Sequence, residues 1–219
     1  MLLQSLREGV AANGRKLVEW GLTTGSFGNL SAFDPQSGLV AISPSGMDYN
    51  EITAEDVVVV DLQGNRVEGE RNPSSELALH LIFYQNRPGV TGVVHTHSTY
   101  AATMACLRRP LRPIHYLAAY GGGKVKCIPY YPFGSERLAQ AAYKGMGANR
   151  NAVLLGGHGL VTVGRDLEFA MEAARQLELL AQLCYNARVV SGGVSLSKKE
   201  LKFAIQALNS YGNGQNESV

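Results

Sequence analysis

Cysteine is sparse in this 219-residue chain: Cys106, Cys127 and Cys184 stand far apart, and no two form a CxxC pair. An odd, dispersed count argues against a disulfide framework or a thiolate zinc site and suits a reducing compartment, so the expected location is cytoplasmic. Long apolar runs are missing as well. The opening MLLQSLREGVAANGRKLVEWGL alternates apolar and charged residues at helical spacing, which is the pattern of neither a signal peptide nor a membrane anchor. Charge of one sign is not in excess either: 20 Lys and Arg against 18 Asp and Glu leave a net charge of +2. With no basic stripe and no aromatic platform, neither nucleic acid nor a membrane is an expected partner. Two chemical signatures also fail. The GGGK run at 121–124 has Ala118 and Val125 where a P-loop needs Gly and a hydroxyl residue, and no GxSxG elbow occurs.

What is there is a globular pattern in which helix-period segments alternate with short β-rich runs. LLQSLREGVAANGRKLVEW is predicted as an amphipathic helix, followed by the Gly-rich stretch TTGSFGNLS. LVAIS and DVVVVDL are predicted strands, with QGN turning the second into RVEGE. Pro73-Ser74-Ser75-Glu76 opens a helix through about Tyr84, with Ser74 as the expected N-cap. GVTGVVHTH reads as a strand, STYAATMACL as a helix and KVKCIPY as a strand. SERLAQAAYKGM is helical, AVLLGGHGLVTVG is a strand pair around a Gly turn, and DLEFAMEAARQLELLAQLCYNARVV and SKKELKFAIQALNSY are helices. No repeat or linker divides the chain, so residues 1–211 read as a single α/β domain and GNGQNESV, 212–219, as a flexible polar tail.

Only five histidines are present, and two of them sit one residue apart in VVHTH. On a strand, residues i and i+2 project to the same face, so His95 and His97 point together, with Val93 in the same parity and Val94 and Thr96 opposite. Such a pair is either a polar strand end or half of a metal site. His158 in LLGGHGLV is either a turn histidine or a third ligand, since the surrounding glycines let a ligand approach closely. Glu76, three positions into its helix, is either a capping residue or a fourth ligand. Three imidazoles and a carboxylate together would suit Zn²⁺. His80, one turn beyond Glu76, is either a partner of that carboxylate or a hydrogen-bonded core histidine. GSFGNLS, SPSGM and PSSE each combine small residues with hydroxyls and backbone N–H groups, the pattern of a phosphate monoester site.

GSFGNLS, SPSGM, NPSSE, VVHTH, PIHY, GHGL and a C-terminal SYG occur in the order and spacing of the class II aldolase/adducin family, which the chain resembles over essentially its whole length. The resemblance implies a three-layer α/β/α sandwich around a mainly antiparallel sheet, and a homotetramer with active sites at its subunit interfaces. It implies that His95, His97, His158 and Glu76 hold one Zn²⁺ per subunit, with Glu76 also the proton-transfer base. Gly28, Asn29, Ser45, Gly46, Ser74 and Ser75 would bind the substrate phosphate. Tyr116, in PIHY, would exchange a proton with the aldehyde or alcohol oxygen across the interface, and Tyr211 would cover the site.

The implied reaction is reversible cleavage of a ketose 1-phosphate, L-fuculose 1-phosphate or a related 5-deoxyketose 1-phosphate, to dihydroxyacetone phosphate and a short aldehyde. Sugar-phosphate 4-epimerases and methylthioribulose-1-phosphate dehydratases are alternatives on the same scaffold, and a non-catalytic adducin-like domain is a third. The epimerases resemble NPSSD where this chain has NPSSE, and carry an acidic residue near the place of PIHYLAAYGG, so both departures favour an aldolase. A scaffold domain would have no need of the complete ligand set.

Overall fold

The computed structural model describes residues 1–211; the tail expected over 212–219 lies outside the described residues, and Tyr211 is described only as the last residue of its helix. Eight strands form one sheet: β1 Asn29–Asp34, β2 Leu39–Ile42, β3 Val58–Asp61, β4 Arg66–Glu68, β5 Gly92–Thr96, β6 Lys126–Ile128, β7 Ala152–Leu155 and β8 Gly159–Gly164. Their order across the sheet is β4-β3-β2-β1-β5-β8-β7-β6. Every neighbouring pair is antiparallel except β6 and β7, which run parallel at one edge. The helices are α1 Gln4–Glu19, α2 Leu77–Asn86, α3 Thr99–Cys106, α4 Glu136–Met146, α5 Leu167–Val190 and α6 Lys198–Tyr211, with a 3-10 turn at Tyr116–Gly121.

Strand alternation sorts the core into two layers. Val40, Val58, Val60, Val93, Val153, Val161 and Val163 pack beneath α2 and α4, against Leu79, Phe83, Leu138 and Met146. Their sequence neighbours face the other way: Ala41 and Val94 pack against α1 and the start of α5, and Leu154 and Leu160 against α3 and the rest of α5. Helices therefore cover both faces of a mostly antiparallel sheet, which is the expected α/β/α sandwich. Among the described residues no helix is long and apolar enough to cross a membrane.

Polar anchors fix how the helices meet the sheet. Arg7 of α1 is 2% exposed, and its guanidinium donates to the carbonyls of Ala54 and Glu55 and pairs with Glu68. Ser135 and Asp166 cap α4 and α5 by accepting from Leu138 N and Phe169 N. The N-terminus of α3 is capped from a distance, because the Glu178 carboxylate of α5 accepts from Tyr100 N at 2.7 Å and Ala101 N at 2.8 Å.

Three local expectations shift. The helix expected to open at Ser74 starts at Leu77, since Ser74 Oγ instead accepts from Glu76 N at 3.2 Å and holds the preceding turn. The Gly-rich stretch contains the start of strand β1 at Asn29, because Asn29–Ala32 pair with β5 and are buried. The 3-10 turn after PIH carried no helical periodicity of its own and was not anticipated.

Candidate metal centre and substrate cleft

His95 is the penultimate residue of β5 and faces the α2 layer with Val93, while His97 lies one residue beyond the strand end. His158 stands in the tight turn between β7 and β8, where Gly157 has a positive φ of 66° that a β-carbon would strain. Glu76 sits at the N-terminal boundary of α2. These four residues, from three separated segments, place one donor atom each within 4.8 Å of one another. The two histidines of VVHTH, the glycine-flanked histidine and the glutamate therefore form one cluster. The capping alternative for Glu76 is set aside, because its side chain makes no cap hydrogen bond to α2 and turns into the histidines.

The distances describe donors crowded around a point. His95 Nε2 lies 2.9 Å from His97 Nε2 and 3.2 Å from His158 Nε2. Glu76 Oε2 is 3.1 Å from His95 Nε2, and Oε1 is 3.8 Å from His158 Nε2. A tetrahedral centre with bonds of about 2.0–2.1 Å spaces its ligand nitrogens by about 3.3 Å, close to what is seen. The His95 Nδ1–H donates to the Leu160 carbonyl at 3.0 Å, which fixes the tautomer and leaves the Nε2 lone pair facing the cluster. Glu76 Oε1 is buried with no hydrogen-bond partner among the described residues. An orphaned carboxylate oxygen beside three convergent imidazole nitrogens fits a divalent cation and is otherwise costly.

The electrostatics agree with that donor set. Burial pushes the Glu76 carboxyl up, but adjacent His95, then His158 and the Asn29 amide, hold it well below the usual carboxylate range. Burial first, then the charges of its histidine neighbours, pushes His97 down to about 3 and His158 to about 4. Burial also works against a charge on His95, yet Glu76 and the Leu160 carbonyl outweigh it and raise that ring. An ionised carboxylate facing His97 and His158 kept neutral is the state in which those groups bind a cation, and an arriving cation would displace the proton that Glu76 favours on His95.

The cluster lies at the side of a cleft of about 370 Å³. All six residues singled out for phosphate, Gly28, Asn29, Ser45, Gly46, Ser74 and Ser75, line this cleft together with Glu76, His97 and His158. Backbone pairing explains the convergence: Ser45 N donates to Asn72 O and Ser74 N to Ser43 O, so the SPSG and NPSS loops are sewn side by side. The third loop is held by Tyr49, whose hydroxyl donates to Gly28 O at 3.0 Å. A β-carbon on Gly28 would stand 2.7 Å from His95 O, so this loop runs against β5 only as glycine.

Three residues bring unanticipated features to the cleft. Phe27 and Phe133 line it with rings 62% and 71% exposed, and an aromatic inside a Gly- or Pro-rich loop has no periodicity to flag it. Asn29, expected only at the phosphate, also donates from Nδ2 to Glu76 Oε2 at 3.1 Å.

Tyr116 does not reach the cluster within one chain. It is 62% exposed on the 3-10 turn and lines a separate cleft with Phe203 and Leu208 of α6. Tyr211 ends α6, and its side chain lies outside the described residues.

Comparison with known proteins follows this geometry. Residues 8–185 match the family described as Class II Aldolase and Adducin N-terminal domain. Over 212 residues the chain is 44% identical to a 5-deoxy-D-ribulose 1-phosphate aldolase of Bacillus thuringiensis serovar kurstaki, covering 97% of this chain and 99% of that protein. It is 35% identical to the L-fuculose phosphate aldolase of Escherichia coli K12, over 90% of this chain and 91% of that one. A solved L-fuculose 1-phosphate aldolase superposes with a TM-score of 0.90 at 40% identity, over 94% of this chain and 96% of that chain. The four-donor cluster, the cleft and the full-length similarity lead to one conclusion: the chain belongs to the class II aldolase and adducin family.

Proposed function

We propose that this protein is a zinc-dependent aldolase that reversibly cleaves a ketose 1-phosphate into dihydroxyacetone phosphate and a short aldehyde. The observation that carries the reading is the adjacency of a four-donor cluster to a cleft lined by six small or hydroxyl-bearing residues. A phosphate in that cleft meets hydroxyls and backbone amides just ahead of α2, whose N-terminus favours an anion. Three imidazoles and one carboxylate suit zinc, one ion per chain. Full-length similarity to aldolases named for 5-deoxyribulose 1-phosphate and fuculose phosphate supports a 5-deoxyketose or 6-deoxyketose 1-phosphate as substrate.

Cleaving C3–C4 requires a proton to leave the C4 hydroxyl and the electron pair of the breaking bond to settle toward C3. A bound divalent cation supplies Lewis-acid withdrawal of that electron density. The phosphate loops anchor C1 and thereby orient the C3–C4 bond over the cluster, an entropic advantage that remote binding provides. Glu76, ionised in the resting site, takes up one proton for the one that leaves the C4 hydroxyl and delivers it to C3 after cleavage; in the reverse direction its carboxylate removes that proton from C3. Tyr116 takes the C4 hydroxyl proton in a neighbouring chain of a homotetramer, and Tyr211 covers that site. Phe27 and Phe133 offer apolar surface to a deoxygenated end of the substrate.

The test is a dihydroxyacetone-phosphate-coupled assay across a panel of ketose 1-phosphates, on protein of measured zinc content, before and after chelation. Release of dihydroxyacetone phosphate that stops on zinc removal and returns on its addition is expected. Turnover in metal-free protein would refute the mechanism, and isomerised sugar phosphate without carbon–carbon cleavage would establish the epimerase alternative instead.

A further inference from the structure

Behind Glu76 runs a file of buried polar groups that the reaction itself does not call for. Asn29 Nδ2 donates to Glu76 Oε2 at 3.1 Å, and Asn29 Oδ1 lies 2.6 Å from His80 Nε2. His80 Nδ1 lies 2.7 Å from Ser31 Oγ, which in turn lies 2.6 Å from the Tyr84 hydroxyl. His80 and Ser31 are fully buried, and Glu76, Asn29 and Tyr84 are 5–6% exposed. The file follows from sheet parity and helix period together. Asn29 and Ser31, two apart on β1, face the α2 layer, where Glu76, His80 and Tyr84 recur every four residues.

The direction of every hydrogen bond in this file is set from one end. An ionised carboxylate only accepts, so the amide end beside Glu76 is the NH2 and the end beside His80 is the carbonyl. That carbonyl only accepts, so His80 carries its proton on Nε2. Burial keeps this ring neutral, pushing it down to about 3, so Nδ1 is left as an acceptor and Ser31 donates to it. Ser31 Oγ then accepts from the Tyr84 hydroxyl, whose one proton is shared with the Ser31 carbonyl at 2.9 Å. A reversed amide would set its carbonyl against the Glu76 carboxylate and its NH2 against the protonated Nε2.

We propose that His80 is a positioning residue, locked as the Nε2–H tautomer, which holds the Asn29 amide in the one orientation that tethers Glu76 while Asn29 lines the phosphate cleft. Through this amide the phosphate loop and the metal-facing carboxylate are tied to one rigid point in the core. The catalytic consequence rests on the aldolase reading above; the positioning itself does not.

Two measurements on zinc-loaded protein test it. In ¹⁵N-histidine-labelled wild type, the His80 ring should show a protonated Nε2 and an acceptor-type Nδ1; an Nδ1–H tautomer would overturn the proposal without any variant being made. Zinc affinity by chelator competition should fall about 10- to 100-fold in His80→Phe, the usual cost of losing a hydrogen-bonded support behind a ligand. His80→Gln, which still offers a donor and an acceptor, should recover most of that loss. Wild-type affinity in folded His80→Phe, or equal loss in both variants, would contradict the role. Absence of retro-aldol turnover in wild type would refute the functional reading alone, leaving tautomer and zinc affinity to decide the role of His80.

Discussion

Gly159 offers a sharp test of how the cluster is built, because it separates packing from backbone preference. It follows His158 at the start of β8, and its φ lies outside the left-handed region, so alanine meets no dihedral penalty there. A β-carbon at this position would stand 2.2 Å from Thr96 O, 3.1 Å from His97 Cδ2 and 3.2 Å from His95 Cε1. Ordinary contact needs about 3.5 Å, so the carbonyl is too close by over an ångström and the two rings by a few tenths. The β5–β8 pairing must open locally at Thr96 and Leu160, and both ligand rings must swing. Overpacking of this kind costs about 1–3 kcal/mol. In a chain of this size that lowers Tm by about 2–12 °C. Displaced ligand rings should weaken zinc binding by about tenfold or more. Calorimetry and chelator competition on Gly159→Ala read the two effects separately. The control is Gly9→Ala in α1, where no atom lies within 4 Å of the new methyl, and about 0.5–1 kcal/mol of stabilisation is expected from helix propensity. Wild-type Tm together with wild-type zinc affinity in Gly159→Ala would refute the geometry.

Two further outcomes follow from buried groups. His80 is neutral in the fold, pushed down to about 3, against about 6.5 when free, so between those values the unfolded chain binds a proton that the fold refuses. Stability is therefore undiminished above pH 6.5 and falls as pH drops. At pH 5 the loss from His80 alone is about 2 kcal/mol; urea melts at pH 7.5 and 5 should show it, and His80→Gln should remove that share. Arg7→Ala strips the carbonyls of Ala54 and Glu55 and the Glu68 carboxylate of their buried donor. A loss of about 1–3 kcal/mol in urea melts is expected, without change in zinc content.

The sequence carried the site more fully than the chain path between its parts. His95 and His97 were legible because strand parity is strict, and the structure keeps Val93 on their face and Val94 on the other. The α4 and α5 starts were legible because Ser135 and Asp166 are polar caps placed directly before apolar periodicity. Strand β1 was not: Asn29-Leu30-Ser31-Ala32 is buried, yet its two polar members face α2 to bond His80, Tyr84 and Glu76, so hydropathy alone reads it as a connection. For Glu76, sequence left capping and ligation open, since a carboxylate at a helix start serves either. The convergence of three histidines on its carboxylate is what favours ligation, and that is visible only in the fold. Convergence of the SPSG and NPSS loops depends on backbone bonds between residues about thirty apart, which local patterns do not encode.

The central claim is one divalent cation shared by His95, His97, His158 and Glu76. X-ray absorption at the zinc edge, on protein carrying one equivalent of zinc, tests it most directly. The account predicts three imidazole nitrogens and carboxylate oxygen at about 2.0–2.2 Å. A first shell with fewer than three imidazoles, or an unchanged spectrum in His158→Ala, would contradict it.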